Sequence, residues 1–308
     1  MMTGASRRPA MMTRRIRYIT GLAMAEWCCG SMMLQDTYCR RYFLTGWKQD
    51  IPIRNTVADV MYQKYVNSLP LYRQEADWKQ LGVCIPRATL ANWIIKCGMD
   101  YMEPVYAALH VHLLECDVLH ADETPCQVLK EEGKPAQSKS YMWLYGSGID
   151  GLPPIRLYEY QPSRGGYHAE EFLSGFSGFL TCDGFGGYNK LKKVIRCGCL
   201  AHMRRYWFDA LPGKGKTTDT MTPAEIGYAY CNQLFKLEEE YAELDADTRK
   251  ARRLETEPAV WKAYWSWLET VNATGGGRLK KAVTYAVNQK PYMENYLLDG
   301  RCSISNNL

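Results

Sequence analysis

Two stretches of this 308-residue chain share one grammar, and together they constrain the fold more than anything else in it. In the first, apolar Val118-Leu119 runs into His120-Ala121-Asp122-Glu123-Thr124-Pro125, so an acidic pair arrives where a buried strand should be ending. In the second, Gly178-Phe179-Leu180-Thr181-Cys182 delivers Asp183 into the glycine-rich turn Gly184-Phe185-Gly186-Gly187-Tyr188. Two carboxylates at the mouths of two strands suit a divalent cation held beside a phosphate. The same aspartates could instead serve as turn formers, Asp122 before Glu123-Thr124-Pro125 and Asp183 before Gly184. Glu123 is the weaker ligand candidate, because adjacent strand residues point to opposite faces.

The elements around these stretches read as an α/β chain. Strands are expected at Val118 to Ala121, Tyr141 to Tyr145, Ile155 to Tyr160, up to Asp183, and at Val194 to Cys197. A short helix from His168 to Leu173 precedes the fourth, and a helix from Leu200 to Leu211 follows the fifth. Three antiparallel strands followed by alternating helices and strands predict a ribonuclease-H-like mixed-sheet core. In that arrangement the first and fourth strands are neighbours, which would bring Asp122 and Asp183 together across sixty-one residues.

Upstream, Val60, Tyr62, Tyr65 and Val66 mark an amphipathic helix ending at Leu69-Pro70, and Tyr72 to Leu81 a second stopped by Gly82. After Val83-Cys84-Ile85-Pro86 comes Arg87 to Lys96, and a further helix is expected over Met99 to Cys116. Helix, glycine-containing turn and proline-opened helix is the helix-turn-helix pattern. It would turn Leu90, Trp93 and Ile94 inward and leave Arg87, Thr89 and Asn92 for DNA; an ordinary helical hairpin is the alternative. Beyond the linker Leu211-Pro212-Gly213-Lys214-Gly215-Lys216 everything reads as helix: Pro223 to Ala246, Pro258 to Val271, Arg278 to Gln289 and Tyr292 to Leu298. Thr222-Pro223-Ala224-Glu225 is the best-capped of these starts.

Other features narrow the function classes. A formal charge of +5 permits nucleic acid without demanding it. No apolar run approaches the roughly 20 residues of a membrane span. The arginine-rich start resembles a signal peptide too weakly, with Glu26 breaking its apolar part, so a cytoplasmic chain is expected. Twelve scattered cysteines, with no Cys-x-x-Cys pair, fit reduced thiols better than disulfides or a zinc knuckle. Cys199 and His202 share a helical face, placing His202 and Arg205 near a scissile phosphate or against an aspartate; a buried thiol with solvent-facing basic groups is the bland alternative. The loop Gln161 to Gly166 could present Arg164 to a phosphate. Trp261, Trp265, Trp267 and Tyr285 read as helix-packing residues rather than base-stacking platforms.

From about residue 59 onward the sequence resembles the transposases of the insertion sequence 66 family, bacterial mobile-element enzymes with a DDE-type core. Leu69-Pro70-Leu71-Tyr72-Arg73-Gln74-Glu75, His120 to Pro125, Ser138 to Trp143, Tyr160 to Arg164, Asp183 to Tyr188, Cys199 to Arg205 and Asp299 through Asn307-Leu308 follow the family's order. The resemblance implies Asp122 and Asp183 as the first two catalytic aspartates and metal ligands, and Cys199 and His202 as the family's Cys-x-x-His signature. It implies Mg²⁺, with Mn²⁺ as substitute, for phosphodiester cleavage and strand transfer. The implied partners are double-stranded DNA at element ends, accessory proteins of the same element and further copies of the chain, in a nucleoid-associated, non-membrane setting.

The expected organisation is an unmatched leader over 1–58, disordered or non-native, then a helix-turn-helix region over 59–116. A ribonuclease-H-like core over 117–211 follows, and then an all-helical insertion over 212–308. Two departures shape the remaining expectations. Residues 1–58 lack the family's zinc-binding start, as a frameshifted or internal initiation would leave them. The family's glutamate follows Asn-Asn-Leu directly, where Leu308 is the last residue. Two cations about 4 Å apart repel by roughly 17 kcal/mol at an effective dielectric near 20, and two carboxylates offset that less than three. The encoded chain is therefore expected to be an inactive transposase, with a non-catalytic DNA-binding remnant as the alternative.

Overall fold

The computed structural model describes residues 54–129, 131, 133–148, 152–212, 220–274 and 277–307. The expectations for the leader before residue 54, for most of the linker after Pro212 and for Leu308 lie outside these residues. The chain divides into two compact units, Met1–Leu109 and His110–Leu308. Among the described residues no helix is long and apolar enough to cross a membrane.

In the first unit, α1 (Arg54–Tyr65), α2 (Leu71–Gln80) and α3 (Arg87–Cys97) surround a small core of Val60, Leu90 and Ile94. The inward face of α1 is narrower than its sequence suggests. Thr56 and Val60 are buried, whereas Tyr65 and Val66 are exposed, because the helix stops at Tyr65 before a full second apolar turn forms. Gln74, buried on α2, donates to the carbonyls of Val60 at 3.2 Å and Leu69 at 3.0 Å and so ties α2 to the end of α1. Gly82 sits at φ 80, a left-handed position that turns the chain into α3 at no steric cost. A turn of π-helix, Gly98–Met102, leads to α4 (Glu103–Leu114).

The second unit is an α/β structure on a five-stranded mixed sheet of order β3-β2-β1-β4-β5. Its strands are β1 (Val118–Gln127), β2 (Lys139–Ser147), β3 (Arg156–Gln161), β4 (Gly178–Cys182) and β5 (Val194–Gly198). β1, β2 and β3 pair antiparallel, and β4 lies parallel to both β1 and β5. This order is compatible with a ribonuclease-H-like core. β1 differs from expectation in running on to Gln127, so Asp122 sits inside a strand rather than at its end. β2 pairs with β1 along that whole stretch, but β4 accompanies it only from Val118 to His120. Beyond His120 one edge of β1 is open, which is where a proline without an N–H is tolerated.

One face of the sheet carries an aromatic cluster, with Tyr145 stacked on Phe172 of α5 (Gly166–Phe172) at 3.9 Å between ring centroids. Between β4 and β5 stands a 3₁₀ turn, Gly186–Lys190, in the glycine-rich run after Asp183. The other face is covered by α6 (Leu200–Asp209), α7 (Pro223–Glu240), α8 (Ala246–Leu268) and α9 (Arg278–Met293). Their shared core includes Trp207, Trp261, Tyr264 and Met293, joined by Val118 and Cys197 from the sheet.

Thr222 makes the capping box its sequence announces, exchanging hydrogen bonds with Glu225. α8, by contrast, begins twelve residues before Pro258, at a cap where Asp245 accepts from the amides of Asp247 and Thr248. Burial of Arg253, Glu257, Val260, Trp261, Tyr264, Trp265 and Leu268 along one stripe outweighs the backbone bond that Pro258 cannot make. α9 likewise continues through Pro291, and only a 3₁₀ turn, Asn295–Leu298, remains of the last expected helix.

Candidate active site

Carboxylate oxygens of Asp122, Glu123 and Asp183 lie within 4.8 Å of one another. Asp183 follows the last residue of β4, and Asp122 lies two residues past the end of the β1–β4 pairing. The parallel register brings these two aspartates together, as the topology read from sequence requires. Glu123 stands with them. Strand alternation sends it to the face opposite Asp122, yet its carboxylate joins the same cluster.

Each carboxylate is held. Asp122 Oδ1 accepts from the Glu123 amide at 3.1 Å, and Asp183 Oδ1 accepts from the Phe185 amide at 2.9 Å, the turn that its glycine-rich sequence calls for. The Glu123 side chain is fully buried and accepts from the Tyr188 hydroxyl at 2.7 Å. Arg164 donates to Glu123 from Nε at 2.8 Å and again from Nη2, and reaches Asp183 at 3.4 Å. Its guanidinium also lies over the Phe185 ring at 4.4 Å. The Gln161–Gly166 loop thus aims Arg164 into the acidic cluster.

The electrostatics follow from crowding like charges in a partly dry place. Burial, then the neighbouring Asp183, pushes Glu123 up to about 6 against the pull of Tyr188 and Arg164. The same two causes raise Asp122, opposed by the charges of His202 and Arg205. His120 is buried and pushed down to about 4, by burial first and then by Arg156, so it stays neutral at ordinary pH.

Cys199 caps the N-terminus of α6 and pairs with His202 one turn on. The hydrogen bond with Cys199 raises His202 against burial, and the charges of Cys199 and Asp183 add to the rise. For Cys199, burial works upward, but His202 and the Asn306 amide outweigh it and bring the thiol down. Arg205 is exposed on the same helix. In the other unit, Arg87 and Asn92 are exposed on α3 and Thr89 is half-buried, while Leu90 and Ile94 face inward and Trp93 is partly covered.

Two further residues escaped the sequence reading. Tyr188 lay in the quoted glycine-rich run, but only the fold shows its hydroxyl on Glu123. Asn306 is buried and donates to the carbonyl of Ala121 at 3.0 Å. An all-oxygen donor set in which burial and mutual repulsion raise two of the three carboxyls fits a hard divalent cation, which would relieve that repulsion.

These features define a class, an α/β protein with a carboxylate cluster where the pairing of two adjacent parallel strands ends. The sequence matches the family described as "Transposase IS66 family" over residues 50–308, and the chain belongs to that family. It is similar to three uncharacterized proteins of Sinorhizobium fredii. With y4qI it is 28% identical over 274 residues, covering 84% of this chain and 50% of that protein. With y4hP the identity is 23%, covering 82% and 49%, and with y4jD 25%, covering 82% and 51%. The chain thus spans about half the length of the curated relatives it matches. No solved structure matches it at a significant level.

Proposed function

We propose that this chain carries the ribonuclease-H-like core of a DDE-type DNA transposase, acting on double-stranded DNA at the ends of a bacterial insertion sequence. One observation carries the proposal, the convergence of Asp122 and Asp183 within 4.8 Å on neighbouring parallel strands. In this reading residues 59–116 form a helix-turn-helix region, with Arg87, Thr89 and Asn92 meeting the DNA. Residues 117–211 form the catalytic core and 212–308 a helical insertion. The setting is the cytoplasm, at the nucleoid, with accessory proteins of the element and further copies of the chain as partners.

Asp122 and Asp183 would hold Mg²⁺, or Mn²⁺ in its place. When bound, the cation activates an attacking hydroxyl and stabilises the leaving oxygen of a phosphodiester. The protein's own residues do the rest. Glu123, braced by Tyr188, fixes Arg164 beside Asp183. Arg164 neutralises the cluster until an anionic phosphate and a cation share the work. His202, whose imidazole the hydrogen bond with Cys199 shifts toward its charged form, and Arg205 stand on the α6 side, where they would orient the scissile phosphate.

A second reading, DNA binding without cleavage, is favoured by the engagement of Glu123 with Arg164, which leaves two carboxylates for cations. Both are tested by incubating the chain with labelled element-end DNA and Mg²⁺ or Mn²⁺, scoring retardation and nicking in parallel. Nicking that falls at least a hundredfold in Asp122→Asn supports catalysis. Salt-dependent binding without nicking favours the second reading. Nicking that survives both Asp122→Asn and Asp183→Asn overturns the site.

A further inference from the structure

α6 helps line a cleft of about 410 Å³ of which the proposed chemistry uses only Arg205. It is lined by Ala201, Arg204, Arg205, Phe208, Tyr228 and Asn307. Its size is that of a small-ligand site and is ample for one nucleotide. Two aromatic rings stand in it, Phe208 and Tyr228, with centroids 5.7 Å apart and planes inclined by 51°. Phe208 is 57% exposed, so much of its side chain is open to solvent. A single exposed phenylalanine would mean little by itself. Here it shares a concavity with two arginines, and Arg204 is held in place by packing over Phe235 at 4.0 Å.

The cleft also opens beside the acidic cluster. Arg205 lines the cleft, three residues beyond His202 on α6. Asn307 follows Asn306, whose side chain is bonded to the carbonyl of the residue before Asp122. Through Asn307 the cleft wall is thus joined to the strand position next to Asp122.

Chemistry selects the occupant. Guanidinium groups take phosphates, and exposed aromatic rings take base faces. In a duplex each base face is covered by its neighbours, so rings inside a concavity reach only a base that has left the stack. We propose that the Arg204–Phe208–Tyr228 cleft binds an unpaired DNA nucleotide next to the scissile phosphate, with Phe208 stacking on its base. This rests on the transposase reading above and deepens it, since it demands locally unpaired DNA at the element end.

The test uses single-stranded and duplex oligonucleotides of one element-end sequence, with 2-aminopurine placed next to the cleavage position. Phe208→Ala should weaken single-strand binding roughly tenfold, abolish quenching of the 2-aminopurine and leave duplex binding within about twofold. Phe208→Trp should restore both signals, and Phe208→Leu, which keeps apolar bulk against Tyr228, should not. Unchanged single-strand affinity and quenching in Phe208→Ala and Tyr228→Leu would overturn the inference. So would an equal loss for duplex and single strand. The parent reading is scored separately by nicking in Asp122→Asn. A cleft that fails while nicking still needs Asp122 sinks only this inference, and a cleft that holds while nicking ignores Asp122 sinks only the catalytic assignment.

Discussion

Asn306 donates its side-chain amide to the carbonyl oxygen of Ala121 at 3.0 Å, joining residues 185 positions apart at the strand position just before Asp122. The contact ends a longer lacing. Arg301 pairs with Asp117 at 2.6 Å, Thr181 Oγ1 donates to the Ser303 carbonyl at 3.4 Å, and the Leu200 amide donates to the Ile304 carbonyl at 2.8 Å. Cys302, Ile304 and Asn306 are buried in alternation, as in an extended segment with one covered face. The segment 301–307 thus lies against β1, β4 and the start of α6, and it helps hold Asp122 where the cluster needs it.

Asn306→Ala should therefore loosen the site before it loosens the fold. The Ala121 carbonyl would lose its side-chain donor in a buried place, at a cost of about 1–3 kcal/mol. Urea unfolding should show that loss, and amide exchange at Asp122 and Glu123 should quicken while exchange in α8 stays slow. Uniform quickening across the second unit would mean that Asn306 supports the whole unit rather than this strand.

Arg164→Gln tests the internal counter-ion. Removing one member of a buried pair costs roughly 3–5 kcal/mol. Arg164 is 41% exposed in its side chain, however, and Glu123 can take up a proton, so about 2 kcal/mol is expected near pH 7.5. Without Arg164 the Glu123 carboxyl should rise further above its present value of about 6. A carboxyl raised in the folded state favours folding below its ordinary range, and that advantage is lost as pH climbs through the raised value. The defect should accordingly shrink toward pH 5 and be full by pH 8. Added Mg²⁺ should raise the melting temperature more in the variant than in the parent, because cation and guanidinium compete for the same oxygens. Equal Mg²⁺ shifts would show that Arg164 and the cation do not share a site.

The sequence carried the sheet and the meeting of Asp122 with Asp183, because both follow from local pattern plus chain order. Alternation located β3, glycines located the turn after Asp183, and Thr222-Pro223-Ala224-Glu225 located its helix start. What it could not carry depends on an edge or on long-range burial. Alternation made Glu123 the weaker candidate, yet beyond the end of the β1–β4 pairing its carboxylate lies with those of Asp122 and Asp183. Pro258 reads locally as a helix start, yet the stripe from Arg253 to Leu268 needs a surface to cover before it can extend the helix backward. Arg164 was legible as a loop arginine near phosphate chemistry, but not as the partner of a glutamate forty-one residues away.

Glu257 should make the helical part sensitive to alkali. It is wholly buried, accepts a hydrogen bond from the Tyr296 hydroxyl, and lies beside Arg253, whose guanidinium is paired with Glu238 at 2.5 Å. Burial first, with the Glu238 charge adding, pushes its carboxyl up to about 8 despite Tyr296 and Arg253. The folded value stands above the ordinary one, so the folded state holds the extra proton. The resulting stabilisation is complete below about pH 4.5 and disappears as pH rises through the raised value. The parent's melting temperature should fall by several degrees between pH 6 and 9, and Glu257→Gln, neutral and nearly isosteric, should flatten that slope. A slope that persists in the variant would assign the loss to another group.

Gly227 sets two opposing effects against each other. Alanine is the better helix former by about 1 kcal/mol, which by itself would make Gly227→Ala stabilising on α7. An added Cβ, however, would stand 2.4 Å from Cδ2 and 2.7 Å from Cε2 and Cε3 of Trp207. That indole cannot step aside, since it is fully buried and its Nε1 donates to the Tyr264 hydroxyl at 3.1 Å. Overpacking of this kind costs about 1–3 kcal/mol, and a clash with three ring atoms belongs at the upper end. The net expectation is a loss of about 1–2 kcal/mol in urea unfolding, with a shifted tryptophan emission as Trp207 is displaced. Because Tyr228 is the next residue, pushing α7 away from α6 should also widen its gap from Phe208 and weaken single-strand binding. Greater stability in Gly227→Ala would mean that helix propensity outweighs the contact and that α6 and α7 meet less closely than the structure places them.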